Sequence, residues 1–561
     1  GSPDAKILIV GEAPSFDEIR ESRPFVGPSG RLLDLCLHSA KISRAECAIT
    51  NVFEELVKKG DEKKSEIFSR SGELLWTTKG FTDAGRIAAK PCLERIAKSN
   101  ANVIVALGGP ALHLTLDIRP LLKWRGSIVV NSLGRKIIPS IHPAFILRGE
   151  YHNRYLLIND LTKAKAESDD ARFIPTARNY LIDPSYSEVL AFLRRCLDAP
   201  AVNTDIEVLA GQVDCFSLAT SAHDVISIPI VDAGFEHRWS LEEEREIWRL
   251  YAQILQAPHI AKINQNITFD LAALLELNNI TARGPLHDPM VAFNVAYPFL
   301  EKKLAVISSF CTREPYYKDD GQLADAPKVE DFQKRWLYNA KDSAVSFESW
   351  EYLMPDVDSG GYRATYDMTI DKIPALVYMM VKGLRVDREN LATARAKAKA
   401  NLAEIVAKLE SETGRKIITA APKKAAEKRA LAGALNVNSP AQLKEYLYRD
   451  LKLKPYVNSA GAESVDDVAL SRIVRRDGLR TAKLLQDYRR IAKLIGTYLD
   501  MQFDADDRMR CSFNVRGTWT GRLSSSQTIH GVGGNLQNIP DDMALFLVSD
   551  YQPEAQNEAV V

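Results

Sequence analysis

Hydrophobic and polar positions divide the 561-residue chain into three zones. From residue 4 to about residue 165, short β-rich runs alternate with helical stretches; examples are Lys6–Val10 (KILIV), Ala101–Leu107 (ANVIVAL) and Lys136–Pro139 leading into Ile141. That rhythm predicts an open α/β sheet. The polar stretch Ala164–Arg172 (AKAESDDAR) reads as a linker. A second α/β segment extends from about Phe173 to Glu351, with strand-like runs at Val202–Val208 and Val225–Val231. Beyond Pro355 the pattern turns helical, as in Ile373–Met380 and Glu389–Glu412, with Gly383 ending one helix and Asp387 starting the next. Lysine-rich Lys423–Arg429 reads as a surface excursion, and no repeat of solenoid length is present.

Several polar positions break this pattern in a chemically meaningful way. Asp205 and Glu207 stand two apart in the strand-like VNTDIEV, so both carboxylates lie on one face. Asn266 and Asp270 (NITFD) open a later helical stretch, and Tyr338 and Asp342 (YNAKD) sit one turn apart on a helix face. Two-metal hydrolysis of a phosphodiester requires three or four converging carboxylates, with ions roughly 3.5–4 Å apart. Mg2+ or Mn2+ prefers such hard oxygen ligands. A tyrosine hydroxyl can hold the attacking water. Each fragment alone is an ordinary solvated face; the ordered set is far more specific.

Bulk composition narrows the picture only a little. The chain is long enough for three or four domains, and 46% hydrophobic with 26% charged residues is ordinary for a globular protein. No apolar run reaches the ~20 residues of a membrane span. Lys+Arg and Asp+Glu are 73 each, which neither supports nor excludes nucleic-acid binding. Cys36, Cys47, Cys92, Cys196, Cys215, Cys311 and Cys511 form no CxxC pair, which fits a reducing compartment and argues against a zinc or iron–sulfur site. Gly1-Ser2-Pro3 has neither a start Met nor a signal-peptide pattern and reads as a fragment edge.

The series DxE, NxxxD and YxxxD resembles the DEDDy 3′–5′ proofreading exonucleases of family A DNA polymerases. That resemblance implies that Asp205, Glu207, Asp270 and Asp342 bind two Mg2+ or Mn2+ ions, that Tyr338 orients the water and that Asn266 orders the surroundings. His287-Asp288-Pro289 lies in a family-like position, with a structural role as open as a functional one.

At the amino-terminal end, GEAPSFDEIRESRPFVGPSGRLLD is followed by Thr50-Asn51-Val52, by VIVALGGPA at Val103–Ala111, and by SIHPAFILR at Ser140–Arg148. A glycine-rich turn leaving a strand is an anion site by itself; the ordered series is similar to family 4-like uracil-DNA glycosylases. The resemblance implies a flipped-out base stacked on Phe25 and read by Asn51. It implies that His142 stabilises charge on the departing base and that Glu12 positions water or stabilises the sugar cation. The cysteines that commonly hold an iron–sulfur cluster in that family are absent from the expected places, so no cluster is expected. Ser15 stands where a glycine is usual.

NVRGTWTGRLSSS (Asn514–Ser526) and GGNLQNIP (Gly533–Pro540), after NVNSPAQLKEYLY and LQDYRRIAKLIGTYLD, resemble the thumb and the beginning of the palm of family A DNA polymerases. Arg522, Ser524, Ser525 and Ser526 suit a phosphate backbone, and Asn535, Gln537 and Asn538 suit minor-groove acceptors. Lys483, Arg489, Arg490 and Lys493 would line the duplex side. Asp550-Tyr551 imitates a catalytic aspartate but follows GGNLQNIP too closely. The resemblance implies that the fingers and the catalytic carboxylates lie outside this sequence, so the chain alone is not expected to polymerise DNA although its parent would.

The expected fold class is therefore an α/β multidomain protein. It comprises a uracil-DNA-glycosylase-like α/β/α sandwich (1–168), an RNase H-like exonuclease α/β domain (169–358), and a mainly helical polymerase thumb with the start of the palm (359–561). The expected partners are primer–template duplex and a single-stranded 3′ end, with no membrane, in the cytoplasm of a bacterial host if the gene is a phage's. Two other readings stay open: a non-catalytic DNA-binding and processivity module, and a repair enzyme joining base excision to 3′ trimming.

Overall fold

The computed structural model describes residues 4–232, 234–321, 328–420, 431, 433–458, 461–501, 503–518, 520–528, 530–534, 536–539 and 546–548. They fall into two compact units: Gly1–Val377 with Val515–Arg522, and Tyr378–Asn514 with Leu523–Val561.

The first unit contains two large sheets. The amino-terminal sheet runs in the order Cys47–Asn51, Ile7–Gly11, Val103–Leu107, Lys136–Ser140, Val129–Val130. Its first four strands are parallel and the last pair antiparallel. Ile7–Gly11 and Val103–Leu107 are buried at every position, the continuous apolar signature of a strand covered on both faces. Register places Gly11 beside Asn51 and Leu107 beside Ser140, so several loops leave the sheet at one edge. Open α/β sheets bind ligands at such carboxyl ends. A small antiparallel sheet (Lys58–Lys59, Ile67–Phe68, Leu74–Thr77, Gly80–Phe81) is inserted after the second motif.

The central sheet runs Asn179–Leu181, Asp224–Pro229, Gln212–Ser221, Ala201–Leu209, Ala261–Ile263, Leu286–His287. Ala201–Leu209 pairs antiparallel with Gln212–Ser221 and parallel with Ala261–Ile263. Helices Tyr186–Leu197 and Leu241–Gln256 pack on each other, and each begins with a Ser–Glu capping box, Ser185 with Glu188 and Ser240 with Glu243. The long helix Val329–Ser359 packs across five strands of the sheet, most extensively on Gln212–Ser221, Ala201–Leu209 and Asp224–Pro229.

Two expectations change here. Ala164–Glu167 is not linker but the last turn of helix Arg154–Glu167. Its polar letters are used inside: the fully buried Lys136 Nζ donates to Glu167 Oε2 at 3.0 Å, and Arg313 pairs with Glu167 Oε1 at 2.6 Å. The first unit also continues past residue 358. Tyr366 OH accepts from Asp288 N (3.2 Å), and Arg516 Nε donates to Asn294 Oδ1 (2.6 Å), holding both later segments to it.

In the second unit, helix Arg388–Thr413 packs along Arg480–Leu494 over a core that includes Leu391, Leu409, Leu443, Leu470 and Leu485. Asp387 caps the first of these by accepting from Glu389 N and Asn390 N, and Gly414 (φ 64°) ends it in the left-handed conformation. Leu384–Val386 lies between Arg508–Met509 and Leu547–Val548, antiparallel to both. The lysine-rich excursion Lys423–Arg429 lies outside the described residues. Among the described residues no helix is long and apolar enough to cross a membrane.

Inside the amino-terminal domain Arg125 forms a buried ion pair with Asp160 at 2.7 Å, and the same guanidinium donates to Ser309 Oγ of the neighbouring domain. Removing one member of such a pair leaves an uncompensated charge. Asp160→Ala should cost about 3–5 kcal/mol and lower the thermal midpoint of this unit, whereas Asp319→Ala, which removes the partner of exposed Lys123, should leave the midpoint nearly unchanged.

Candidate metal centre and base pocket

Strand alternation turns Asp205 and Glu207 to the face crossed by helix Val329–Ser359. That helix brings Arg335, Tyr338, Asn339 and Asp342 to the same face, spaced three or four residues apart. Asp205, Glu207 and Asp342 offer ligand oxygens that all lie within 4.8 Å of one another. Asp270, from helix Ile267–Asn278, stands outside this close trio, and its Oδ1 accepts from Ile206 N at 3.0 Å. An all-oxygen donor set of this kind fits Mg2+ or Mn2+.

Electrostatics in the cleft follow from burial. Burial, and then the charges of Asp270, Asp342 and Glu207, raise the Asp205 carboxyl well above its ordinary range. Asp270 is raised as well, chiefly by burial. Glu207 is pushed up to about 7 by burial, against the pull of Arg335. Arg335 lies 3.3 Å from Glu207 and makes hydrogen bonds of 2.7 and 2.8 Å to Asp214. Asn339 Nδ2 donates to Asp205 Oδ2 at 2.8 Å, and its own Oδ1 accepts from Ser227 Oγ. Tyr338 is held protonated by burial and by Asp342, so its hydroxyl acts as a hydrogen-bonding group and not as a base.

Asn266 has a structural place. It adopts the left-handed conformation (φ 61°) at the helix start, and its N–H donates to Asp288 Oδ1 at 3.0 Å. Asp288 also accepts from Ile267 N and Met290 N, and His287 Nδ1 lies 3.1 Å from Tyr366 OH. The His287-Asp288 pair thus ties helix starts together.

Sequence reasoning missed two residues that reach the carboxylates. Tyr317 OH donates to Asp342 Oδ1 at 2.7 Å, and Lys318 Nζ donates to Oδ2 at 2.5 Å. They belong to an irregular segment with no periodicity to mark them. Arg335 and Asn339 were legible in principle, since both share the helical face of Asp342.

The second constellation gathers at the carboxyl edge of the amino-terminal sheet. Phe25 is buried and adopts φ 54°, a left-handed conformation costly for an aromatic residue. A Cβ at Gly11 would lie 2.4 Å from Asn51 Oδ1 and 2.6 Å from the Phe25 ring, so only glycine lets the amide and the ring meet. Buried Asn51 Oδ1 has no hydrogen-bond partner among the described residues. His142 caps a short helix: Ala144 N donates to its Nδ1 at 3.1 Å, which leaves the neutral ring's proton on Nε2. Its ring centroid is 5.5 Å from that of Phe25. Glu12 pairs with Lys59, from the small inserted sheet, which no sequence signal had marked.

The Uracil DNA glycosylase superfamily profile matches residues 1–163, and the DNA polymerase family A profile matches residues 403–555. The chain joins a uracil DNA glycosylase superfamily domain to a family A DNA polymerase domain. It is 31% identical over 169 residues to the Type-4 uracil-DNA glycosylase of Thermotoga maritima, covering 30% of this chain and 79% of that protein. It is 28% identical over 310 residues to the DNA polymerase of Escherichia phage T5, covering 51% of this chain and 34% of that one. With the DNA polymerase of Bacillus phage SP01 it shares 20% identity over 605 residues, covering 94% of this chain and 62% of the relative. The chain thus spans less than two thirds of the length of these polymerases. A solved structure, the POL domain of Pol1 from M. smegmatis in complex with DNA primer-template and dNTP, shares the fold at TM-score 0.50 and 17% identity, covering 66% of this chain and 59% of that one.

Within the family A segment, Ser524 and Ser525 form half-buried positions of a strand paired with Ser512–Asn514. Gln537 is exposed in a short helical turn. Arg522 is exposed at the end of the segment assigned to the first unit. Asn535, the Asn538 side chain and Asp550-Tyr551 lie outside the described residues. Lys483, Arg490 and Lys493 are exposed on helix Arg480–Leu494, whereas Arg489 folds back onto Val465 O (2.9 Å) and Asp467.

Burial depresses the His142 imidazole from 6.5 to about 4. A depressed histidine contributes stability that is full above its unfolded value and is lost as pH falls toward the folded one. Imidazole 15N NMR should therefore find His142 neutral, with its proton on Nε2, from pH 8 down to about 5. A titration midpoint near 6.5 would contradict the buried setting.

Proposed function

We propose that this chain is the proofreading and base-inspecting part of a DNA polymerase, whose whole protein copies DNA in a bacterial cytoplasm. The observation that carries the reading is the convergence of Asp205, Glu207 and Asp342 within 4.8 Å, with Tyr338 on the same helix face as Asp342. Asp205, Glu207, Asp270 and Asp342 would hold two Mg2+ or Mn2+ ions, which when bound supply an activated water and neutralise the phosphate. Tyr338 would hold that water by its hydroxyl. Asn339 keeps Asp205 in place, and Arg335 keeps Glu207 in place. The reaction is removal of 3′-terminal nucleotides as nucleoside monophosphates from a single-stranded end. Primer–template duplex would be held by the family A segment, through Arg522, Ser524, Ser525 and Gln537.

A second activity is favoured by the unpartnered Asn51 Oδ1. An acceptor there, a donor at His142 Nε2 and the Phe25 ring complement the N3–H, a carbonyl and the face of uracil. Glu12 would position the water or stabilise the sugar cation once Lys59 releases it. Neutral His142 donates to the departing base without adding a positive charge.

Two labelled strands test both activities, one of them containing uracil. With Mg2+, stepwise 3′ shortening should fall by more than about 100-fold in Asp205→Ala, since even outer-shell partners of a metal site are worth roughly 10–100-fold. No shortening in Mg2+ or Mn2+ would refute the exonuclease. Alkali-sensitive breaks at uracil should persist in EDTA and be lost in His142→Ala. Intact uracil strands would limit the front domain to inspection or to another base.

A further inference from the structure

Residues Ser309–Asp319 touch both domains of the first unit: Glu314 pairs with Arg178 and Lys341, and Tyr317 packs against Leu304 and Val345, while a further series of anchors comes from the glycosylase-like domain. Arg125, while paired with Asp160, donates to Ser309 Oγ. Lys163 Nζ donates to three carbonyls, Gly126 (3.0 Å), Ser309 (2.5 Å) and Thr312 (2.6 Å). Asn159 Nδ2 donates to Phe310 O at 2.9 Å. Farther along, Tyr316 N donates to the buried Ser127 Oγ at 3.1 Å, and its ring lies 5.5 Å from that of Trp124. Lys123 closes the series on Asp319 at 2.8 Å.

Tyr317 and Lys318 lie between these last two anchors. They carry the hydroxyl and the ammonium that occupy both oxygens of Asp342. The ammonium also rests 4.2 Å from the centroid of the Tyr338 ring, a cation–π placement. Three features therefore coincide: a cation on a ligand carboxylate, a segment without regular structure from Thr312 to Tyr317, and a second domain gripping that segment on both sides of Tyr317 and Lys318.

We propose that the glycosylase-like domain completes the exonuclease, clamping Ser309–Asp319 so that Lys318 lies on Asp342 and competes with a divalent ion for that carboxylate. Lys318 is then a positioning residue. It occupies Asp342 Oδ2 in place of an ion and so sets how readily the centre takes one up. The proposal rests on the reading of the carboxylate trio as a metal centre.

Mn2+ binding to the full chain, followed by the electron paramagnetic resonance of free Mn2+, tests it without any turnover. Lys318→Met, which keeps the apolar stem, should tighten Mn2+ roughly five- to tenfold, equivalent to about 1–1.4 kcal/mol. Lys318→Arg should remain within about twofold of wild type, because the positive charge is kept. Ser127→Ala loosens the clamp without placing any group near the carboxylates. It should tighten Mn2+ in the same direction by roughly two- to threefold. Unchanged affinity in Lys318→Met, with an unchanged melting temperature, overturns the competition. Tightening in Lys318→Met but not in Ser127→Ala overturns the part given to the glycosylase-like domain. Asp205→Asn is the control: Mn2+ binding as tight as wild type there would sink the metal centre itself and leave the clamp contacts standing.

Discussion

Mutual repulsion among buried and half-buried carboxylates is the constraint around which the first unit is arranged. Asp205, Glu207, Asp270 and Asp342 converge on a cleft where water can screen them only weakly. A bare carboxylate in such a place is costly unless charge or hydrogen bonds compensate it. Burial and neighbouring acids raise the protonation range of Asp205. The surrounding elements answer with Arg335 beside Glu207, Asn339 on Asp205, the Ile206 amide on Asp270, and Lys318 on Asp342. Arg335 and Asn339 come from one face of helix Val329–Ser359, while the Ile206 amide and Lys318 come from other elements, so the compensation also fixes that helix and the Tyr317–Lys318 segment against the sheet.

The base pocket is built on the opposite principle. Its polar groups are mostly neutral, and precision comes from backbone geometry. Gly11 leaves room for the Asn51 amide and the Phe25 ring to meet, and a Cβ at Gly30 would lie 1.8 Å from the Phe25 carbonyl oxygen. Phe25 itself is held in a left-handed conformation that an aromatic residue adopts only when its surroundings impose it. The two glycines and the strained aromatic form one device that presents a ring face beside an unpaired acceptor. Charge enters at the rim, where Lys59 meets Glu12.

Those two principles explain what the sequence displayed and what it concealed. Strand alternation revealed Asp205 with Glu207, and helical spacing revealed Tyr338 with Asp342, because both depend on a local period. The amino-terminal motifs showed Phe25, Asn51 and His142 as members of an ordered series, and the structure gathers them at one sheet edge. Tyr317, Lys318 and Lys59 act from segments without a period, so their partners are set by tertiary folding alone. Ala164–Glu167 misled for a related reason: a polar string looks like a linker until Lys136 and Arg313 are seen to need Glu167 inside. Val515–Arg522 returns to the first unit through Lys302 and Asn294, more than two hundred positions away, which no local pattern announces.

The seam inside the first unit can be ranked by the same reasoning. Lys123–Asp319 is exposed, and exposed pairs contribute about 0–1 kcal/mol. Arg125–Asp160 is almost wholly buried, and losing one partner there would cost several kcal/mol. Lys163 adds three carbonyl contacts from an amine that burial depresses to about 8. Even as a neutral amine it would keep two donors for those three carbonyls. The path of Ser309–Thr312 is therefore set by interior groups of the glycosylase-like domain, and the exposed pair only trims the far end at Asp319. A segment anchored in that order, with Tyr317 packed on Leu304 and Val345, delivers Tyr317 and Lys318 to Asp342 with little freedom, so contacts from the glycosylase-like domain reach the carboxylate cleft through this one segment.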